Sequence, residues 1–273
     1  MTSLAVDRLI SGERGFNIIL DDDRDPRDMQ TKIIGIDCAT HPSRVGVALG
    51  LVNQQTAKLL QVEVGGRDSS IVKIIVNWIN ESKLVLLALD APLGWPASLG
   101  EALVSHTAGQ PIAAKPDELF RRVTDRIVKE KIGKQTLDVG ADRIARTAYA
   151  ALILLQELRE ITGHMIPLAW HSRLEHSVAA IEVYPAGTLR AYGLPASGYK
   201  KEDRRHVRHA IISGIRRHIQ LPDDLSILYD NSDVLDAAIC VLAATDFLSG
   251  NVISPTNQKT AQKEGWIWVR RPQ

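Results

Sequence analysis

One segment, residues 84–90, limits the possible folds more than any other. It reads LVLLALD and is apolar at every position except the last. Such a run is too short for a typical buried helix and is typical of a strand covered on both faces, as in a parallel sheet. Parallel strands need crossover connections, usually helices that cover the sheet. The segment therefore predicts an α/β protein.

Other segments supply the remaining elements of such a fold. Four further strands are predicted at residues 32–37, 44–49, 58–64 and 178–184, with a terminal edge strand at 265–270. Residues 69–79 repeat apolar side chains at helical spacing and predict the first helix. Later helices are predicted at residues 115–131, 141–161, 188–191, 199–218 and 232–249.

The long helical stretch between the last two predicted strands of the sheet is more than a crossover needs. We expect a helical insertion at about residues 97–165, within one domain that covers residues 32–271. Residues 1–31 end in the charged run 21–28, which has no apolar periodicity. This run predicts a flexible N-terminal extension outside the core.

Composition and charge exclude several classes of protein. With 45% hydrophobic and 24% charged residues, the chain is neither disordered nor fibrous. Two cysteines, Cys38 and Cys240, cannot build a disulfide framework and fit a reducing cytoplasm. No apolar window is long enough to span a membrane, and charged Asp7 and Arg8 interrupt any signal peptide. We expect a cytoplasmic protein with no membrane contact.

Acidic residues mark the ends of two apolar strands. Asp37 and Asp90 each stand at a carboxyl end, the edge where open α/β sheets bind ligands. Either residue alone could equally hold a loop or cap a helix. Asp233 and Asp236 are three positions apart on a predicted helix, so their side chains lie about 60° apart on one face. Glu182 on the fifth strand is a further candidate, with a solvent-facing role as the alternative.

The two helical acids differ in how readily a structural role explains them. Ser232 as an N-cap, with a favourable charge at the helix terminus, accounts for Asp233. Asp236 has apolar neighbours, and a buried carboxylate needs a metal or a basic partner to stay ionised. Carboxylates are ligands that Mg²⁺ prefers, and two ions about 4 Å apart promote in-line phosphodiester displacement. We expect Mg²⁺ or Mn²⁺ at Asp37, Asp90, Asp233 and Asp236.

The order of elements and acids resembles the ribonuclease H-like superfamily of metal-dependent nucleases. Six motifs over about residues 32–271 resemble, more narrowly, the domain-of-unknown-function family 429, whose members are labelled predicted nucleases of that fold. They are Gly35-Ile36-Asp37, Asp90-Ala91-Pro92-Leu93-Gly94, Arg121-Arg122-x-Thr124-Asp125, Glu182-Val183-Tyr184-Pro185-Ala186, Asp233-Val234-Leu235-Asp236-Ala237 and Glu264-Gly265-Trp266-Ile267. The resemblance implies a mixed five-stranded sheet flanked by helices with a helical insertion. It also marks Asp37, Asp90, Asp233 and Asp236 as metal ligands, and makes Glu182 a plausible catalytic residue.

Two groups of basic residues are candidates for substrate contacts. Residues 200–217 contain seven basic residues against two acids, a composition that suits phosphate contacts. A solvated helix face is the alternative. The second group lies in the predicted insertion, where part of it matches a family motif. From the two groups we expect the substrate to contact Arg121, Arg122, Arg126, Lys200 and Lys201.

The leading hypothesis is a nuclease that cuts phosphodiester bonds by Mg²⁺- or Mn²⁺-assisted attack of water. Asp37 would bridge two ions, and Asp90, Asp233 and Asp236 would complete the site. A nucleic acid is the expected partner, of a kind that the sequence leaves open. One alternative is a non-catalytic module on the same scaffold that binds nucleic acid or protein. Another is a phosphotransferase of the actin and sugar-kinase type, which needs two copies of the fold where one is visible.

Overall fold

The computed structural model describes residues 30–53, 56–66 and 70–272. Residues 1–29, nearly all of the predicted N-terminal extension, lie outside these ranges. The described residues form the strands β1 (Thr31–Asp37), β2 (Gly46–Val52), β3 (Ala57–Val64), β4 (Val85–Asp90) and β5 (Val178–Glu182). They also form the helices α1 (Ile71–Asn80), α2 (Ala97–Leu103), α3 (Pro116–Phe120), α4 (Val123–Ile132), α5 (Ile144–Thr162), α6 (Pro185–Ala191), α7 (Arg205–Ile215), α8 (Ser226–Asp230), α9 (Ser232–Leu248) and α10 (Gln258–Glu264).

The five strands form one mixed sheet in the order β3-β2-β1-β4-β5. Strand β1 is antiparallel to β2 and parallel to β4, and β4 is parallel to β5. Asp37 of β1 pairs with Asp90 of β4, and Leu89 of β4 pairs with Glu182 of the edge strand β5. A three-stranded meander followed by two crossover strands is the arrangement of the ribonuclease H-like fold. The predicted fold class is confirmed.

Alternate residues of the central strands enter two hydrophobic layers, as the period of a strand requires. Ile34 and Leu87 pack in the layer that contains α1 and α5. Ile33 and Leu86 pack on the opposite face, in the layer that contains α9. Residues Val85–Leu89 of β4 are all buried, so the apolar run of this strand is explained by helices on both faces.

Helix α9 lies unusually close to the sheet because glycines of β1 and β2 face its backbone. A Cβ atom added to Gly35 would be 2.1 Å from the Ala237 carbonyl oxygen, and one added to Gly46 would be 2.3 Å from the Asp233 carbonyl oxygen. Gly46 is also the residue that pairs with Asp37 in the sheet. The first turns of α9 are therefore held beside the carboxyl end of β1.

The helix predicted over residues 115–131 is divided into α3 and α4. The backbone N–H of Arg122 donates to Asp125 Oδ2 at 2.9 Å, which caps α4 and starts it at Val123. Arg122 itself has extended backbone angles, so the helical pattern on its two sides belongs to separate helices.

Two other predicted elements are shorter than expected. Segment 265–270 forms isolated β-bridges instead of a continuous edge strand, because Trp266 and Trp268 turn into the core beside α9. The basic segment 199–218 becomes α-helical only at Arg205, after a 3-10 turn. Within the described ranges, no helix has both the length and the apolar character that crossing a membrane requires.

Substituting Gly35 with alanine should lower the free energy of unfolding by about 1–3 kcal/mol or more, because the new methyl group overlaps the α9 backbone. The measurement is urea unfolding followed by circular dichroism. Gly66→Ala is the matched control, since a Cβ there meets nothing within 4 Å. Equal midpoints for the two variants would contradict the close approach of α9.

Candidate metal centre

Three carboxylates from different parts of the chain meet at the carboxyl edge of the sheet. Asp37 ends β1, Asp90 ends β4, and Asp236 lies on the second turn of α9. One oxygen from each residue lies within 4.8 Å of the others. Asp236 is fully buried, Asp37 is 7% exposed and Asp90 is partly buried. These three residues are called the acid cluster below.

The start of α9 is fixed by a side-chain cap. Asn231 Oδ1 accepts hydrogen bonds from the backbone N–H groups of Asp233 and Val234 at 2.8 and 3.1 Å. The cap is therefore Asn231 and not Ser232, the residue expected from the sequence. The capped helix and the two glycines beneath it together place Asp236 over the end of β1.

Asp233 lies next to the acid cluster rather than within it. Its side chain is 18% exposed, and its Oδ2 is 3.9 Å from Arg44 Nε. The negative charge of Asp233 still raises the pKa of Asp37 and of Asp236. The structure thus brings three of the four predicted metal ligands into one group and leaves the fourth one helical turn away.

Asp236 has two partners that come from one loop. The Tyr199 hydroxyl donates to Oδ1 at 2.7 Å, and Lys200 Nζ pairs with Oδ2. Sequence reasoning missed Tyr199, and it assigned Lys200 to substrate phosphate. The signal that was available is the position of Asp236 among apolar residues, which indicates a metal or a basic partner without saying which residue supplies it.

Burial raises the pKa of all three carboxyl groups in the cluster. The pKa of Asp90 is raised to about 7, chiefly by desolvation. The pKa of Asp37 is raised well above its ordinary value by burial and then by the charge of Asp236. Lys200 opposes these shifts at each of the three residues. One ammonium is therefore set against three closely spaced carboxyl groups.

The donor set of the acid cluster fits a divalent cation. Its three ligands are carboxylate oxygens, without sulfur or imidazole nitrogen, and hard oxygen donors suit hard divalent ions. Such an ion would favour the ionised form of carboxyl groups that burial makes costly to ionise. The residues that could hold it are Asp37, Asp90 and Asp236.

Glu182 lies near the acid cluster but is held by a buried arginine. Arg122 donates to both carboxylate oxygens of Glu182, at 2.6 and 2.8 Å, and to Asp125 at 3.0 and 3.1 Å. Glu182 Oε2 also accepts the Leu93 backbone N–H at 2.9 Å. The Arg122 and Glu182 side chains are only 1% and 3% exposed. Their hydrogen bonds join β5 to the loop after β4 and to α4. The structure thus gives both residues internal partners, and the substrate-binding role of Arg122 and the catalytic role of Glu182 stay predictions.

The other predicted basic residues lie outside the acid cluster. Arg121 pairs with Asp117 at 2.5 Å and with Asp138 at 2.6 Å. Arg126 donates to the backbone carbonyls of Asp117 and Arg121. Lys201 is exposed. Among the described residues, none of these three side chains forms a hydrogen bond or an ion pair with the cluster, so their role toward a substrate stays a prediction.

The fold and the site together define a class of protein. It is an α/β protein of ribonuclease H-like fold with an acid cluster at the carboxyl edge of its sheet. Residues 35–260 match the model of the family described as "Protein of unknown function (DUF429)", and the chain belongs to this family. No curated protein matches the chain. A similar solved structure is that of T. thermophilus RuvC in complex with Holliday junction substrate, at 13% identity, with 79% of this chain and 97% of that chain covered and a TM-score of 0.29. The fold assignment rests on the strand order given above.

Arg122→Met should lower the free energy of unfolding by about 3–5 kcal/mol, because it leaves Glu182 and Asp125 buried without their partner. The neighbouring Arg121→Met is the matched control and should cost less than about 1 kcal/mol, because its ion pairs are reached by solvent. Urea unfolding at pH 7 measures both values. Similar losses for the two variants would show that the buried pair has no special structural role.

Asp90→Asn should stabilise the protein at pH 8 in EDTA by about 1 kcal/mol or more. The pKa of Asp90 is about 7 in the folded state and about 3.9 in an unfolded chain. The folded wild type therefore holds more protons, and this residue makes it less stable as pH rises from about 4 to about 7. Asparagine does not ionise and so avoids that loss of stability. The extra stability of Asp90→Asn over the wild type should therefore shrink as the pH falls toward 4.

Thermal unfolding at several pH values checks this prediction. Glu101→Gln is the control, since Glu101 is an exposed acid on α2 that pairs with Lys263 at 3.2 Å, and it should show no such gain at pH 8. An Asp90→Asn protein that is no more stable than the wild type at pH 8 would contradict the assigned direction of the pKa shift.

Proposed function

We propose that the protein is a metal-dependent nuclease that hydrolyses phosphodiester bonds. One observation carries the proposal: Asp37, Asp90 and Asp236 converge at the carboxyl edge of a ribonuclease H-like sheet. This edge is where ligands of open α/β sheets bind. Three close carboxylates, two of them buried and one partly buried, lower the stability of the fold, because like charges repel and burial disfavours ionisation. A catalytic cation accounts for their presence together.

The cation in this proposal is Mg²⁺ or Mn²⁺, held by Asp37, Asp90 and Asp236. When bound, it supplies Lewis-acid assistance to a water nucleophile and to the oxygens of a phosphodiester. Asp37, at the end of the central strand β1, would hold the cation together with Asp90 and Asp236, and a second ion at the same edge would share these carboxylates. Asp233, which precedes Asp236 by about one turn of α9, would be a fourth ligand, because two ions need more carboxylate oxygens than one.

The surrounding residues have supporting tasks in this proposal. Tyr199 fixes Asp236 Oδ1 through a hydroxyl hydrogen bond, so the orientation of the buried carboxylate does not depend on the cation alone. Arg121, Arg126 and Lys201 are proposed contacts for phosphates on either side of the reacting group. The expected substrate is a nucleic acid, and the experiment below distinguishes its kinds.

The test is hydrolysis of a labelled panel of single-stranded, duplex, hybrid and branched nucleic acids with Mg²⁺ or Mn²⁺. The wild type should cut at least one of these substrates, and EDTA should stop the reaction. Asp37→Asn should reduce the rate by about 100-fold or more, because it removes a direct ligand oxygen. Glu101→Gln, an exposed acid on α2, is the control and should retain activity.

Circular dichroism of each variant separates loss of activity from loss of fold. Cleavage by folded Asp37→Asn at the wild-type rate would overturn the assignment of the site. If the protein binds a nucleic acid without metal, and neither the wild type nor any variant cuts it, a binding module on the same scaffold would be favoured. Saturable ATP binding would favour the phosphotransferase alternative.

A further inference from the structure

Lys200 connects the acid cluster to solvent. Its Nζ contacts Asp236 Oδ2, and its side chain is 53% exposed while that of Asp236 is fully buried. Of the ion pairs among the described residues, this is the one that reaches the cluster. A positive charge from the protein itself thus lies at an oxygen where a metal ion is proposed.

The two oxygens of Asp236 are used differently. Oδ1 accepts the Tyr199 hydroxyl, which belongs to a residue only 3% exposed. Oδ2 faces the lysine ammonium. The Tyr199 hydroxyl takes one lone pair of Oδ1, and the Lys200 ammonium lies at Oδ2. A divalent ion that binds Oδ2 would lie against the ammonium, and repulsion between the two positive charges opposes their presence at one oxygen.

The backbone around Lys200 is held in place by a buried arginine. Arg208, 4% exposed, donates through Nη1 to the carbonyls of Tyr199 at 2.6 Å and Lys201 at 2.9 Å. It also donates through Nε to the carbonyl of Tyr229 on α8 at 2.5 Å. The main chain on both sides of Lys200 is therefore fixed to α7 and α8, whereas the lysine side chain is about half exposed and reaches Asp236 only with its Nζ. The ammonium can leave Asp236 by rotation of its own side chain, without movement of the loop.

We propose that Lys200 is a resident counter-ion, which occupies Asp236 Oδ2 in the metal-free protein and is displaced toward solvent when a divalent ion binds. The inference rests on the proposed function, because it requires a metal at the acid cluster. The exchange keeps the buried carboxylate paired with a cation in both states. It also sets the affinity of the site, since each binding event must break the contact between Lys200 and Asp236.

Mn²⁺ binding measured by titration calorimetry on the full chain tests the inference. Lys200→Met, which keeps an unbranched side chain one atom shorter and without the charge, should bind Mn²⁺ about tenfold more tightly than the wild type, because a positive charge is removed from the site. Lys263→Met is the matched control: Lys263 is 62% exposed and pairs with Glu101 at 3.2 Å. This variant should bind Mn²⁺ as the wild type does.

A second measurement uses the wild type and does not depend on the folding of a variant. Amine-selective labelling followed by mass spectrometry should modify Lys200 several-fold faster with saturating Mn²⁺ than in EDTA, because displacement frees its ammonium from Asp236. Labelling of Lys263 should be the same in both conditions. Unchanged labelling of Lys200, or a folded Lys200→Met that binds Mn²⁺ no more tightly than the wild type, would overturn the inference.

The outcomes also separate this inference from the proposed function. Tighter Mn²⁺ binding by Lys200→Met without cleavage of any nucleic acid would support the exchange and contradict the nuclease. Metal-dependent cleavage with equal Mn²⁺ affinity in both proteins would support the nuclease and contradict the exchange. Absence of Mn²⁺ binding in both proteins would overturn both.

Discussion

The direct contact of helix α9 with the sheet is the constraint on which the site depends. Gly35 and Gly46 provide the space for it, because any side chain at either position would overlap the backbone of α9. A helix held farther from the strands would carry Asp236 away from Asp37 and Asp90. The same two glycines therefore serve the core, by permitting close packing, and the acid cluster, by setting the distance between its members.

The structure deals with buried charge in two different ways. Glu182 and Asp125 share the guanidinium of Arg122, and the hydrogen bonds of this group leave it fully paired inside the protein. The acid cluster has one partly exposed lysine for three carboxyl groups. A fully paired network suits a structural role because its charges are satisfied permanently. A cluster with fewer positive than negative groups, at the edge of the sheet, suits a site whose charge is balanced by a bound ligand.

The parts of the fold that could be predicted are those encoded by local patterns. The apolar run before Asp90 indicates a buried strand, and the spacing of Asp233 and Asp236 indicates one helix face. The division of α3 from α4 was missed because it depends on a single capping contact made by Asp125. Trp266 and Trp268 alternate as strand residues do, but packing against α9 determines where they lie.

Contacts between distant segments could not be predicted, and they decide the candidate site. Arg122 and Glu182 are 60 positions apart, and Tyr199 and Asp236 are 37 apart. Among the clustered basic residues after Gly198, the sequence does not distinguish Arg208, which turns inward to backbone carbonyls, from Lys201, which is exposed. Lys200 was predicted to contact the substrate, and its partner in the structure is the carboxylate of Asp236.

The pairing of Asp37 with Asp90 in parallel register has a consequence for how the chain folds. These residues become neighbours only after two strands that are distant in sequence have joined, and Asp236 joins them from still farther along the chain. Contacts of such long range form at a high entropic cost and slow folding. In the unfolded chain the three acids are far apart and solvated, so they hardly repel one another. Their mutual repulsion becomes strong only once the sheet has assembled. Assembly of the sheet edge is thus the step that brings the three negative charges together and creates an attraction for a cation.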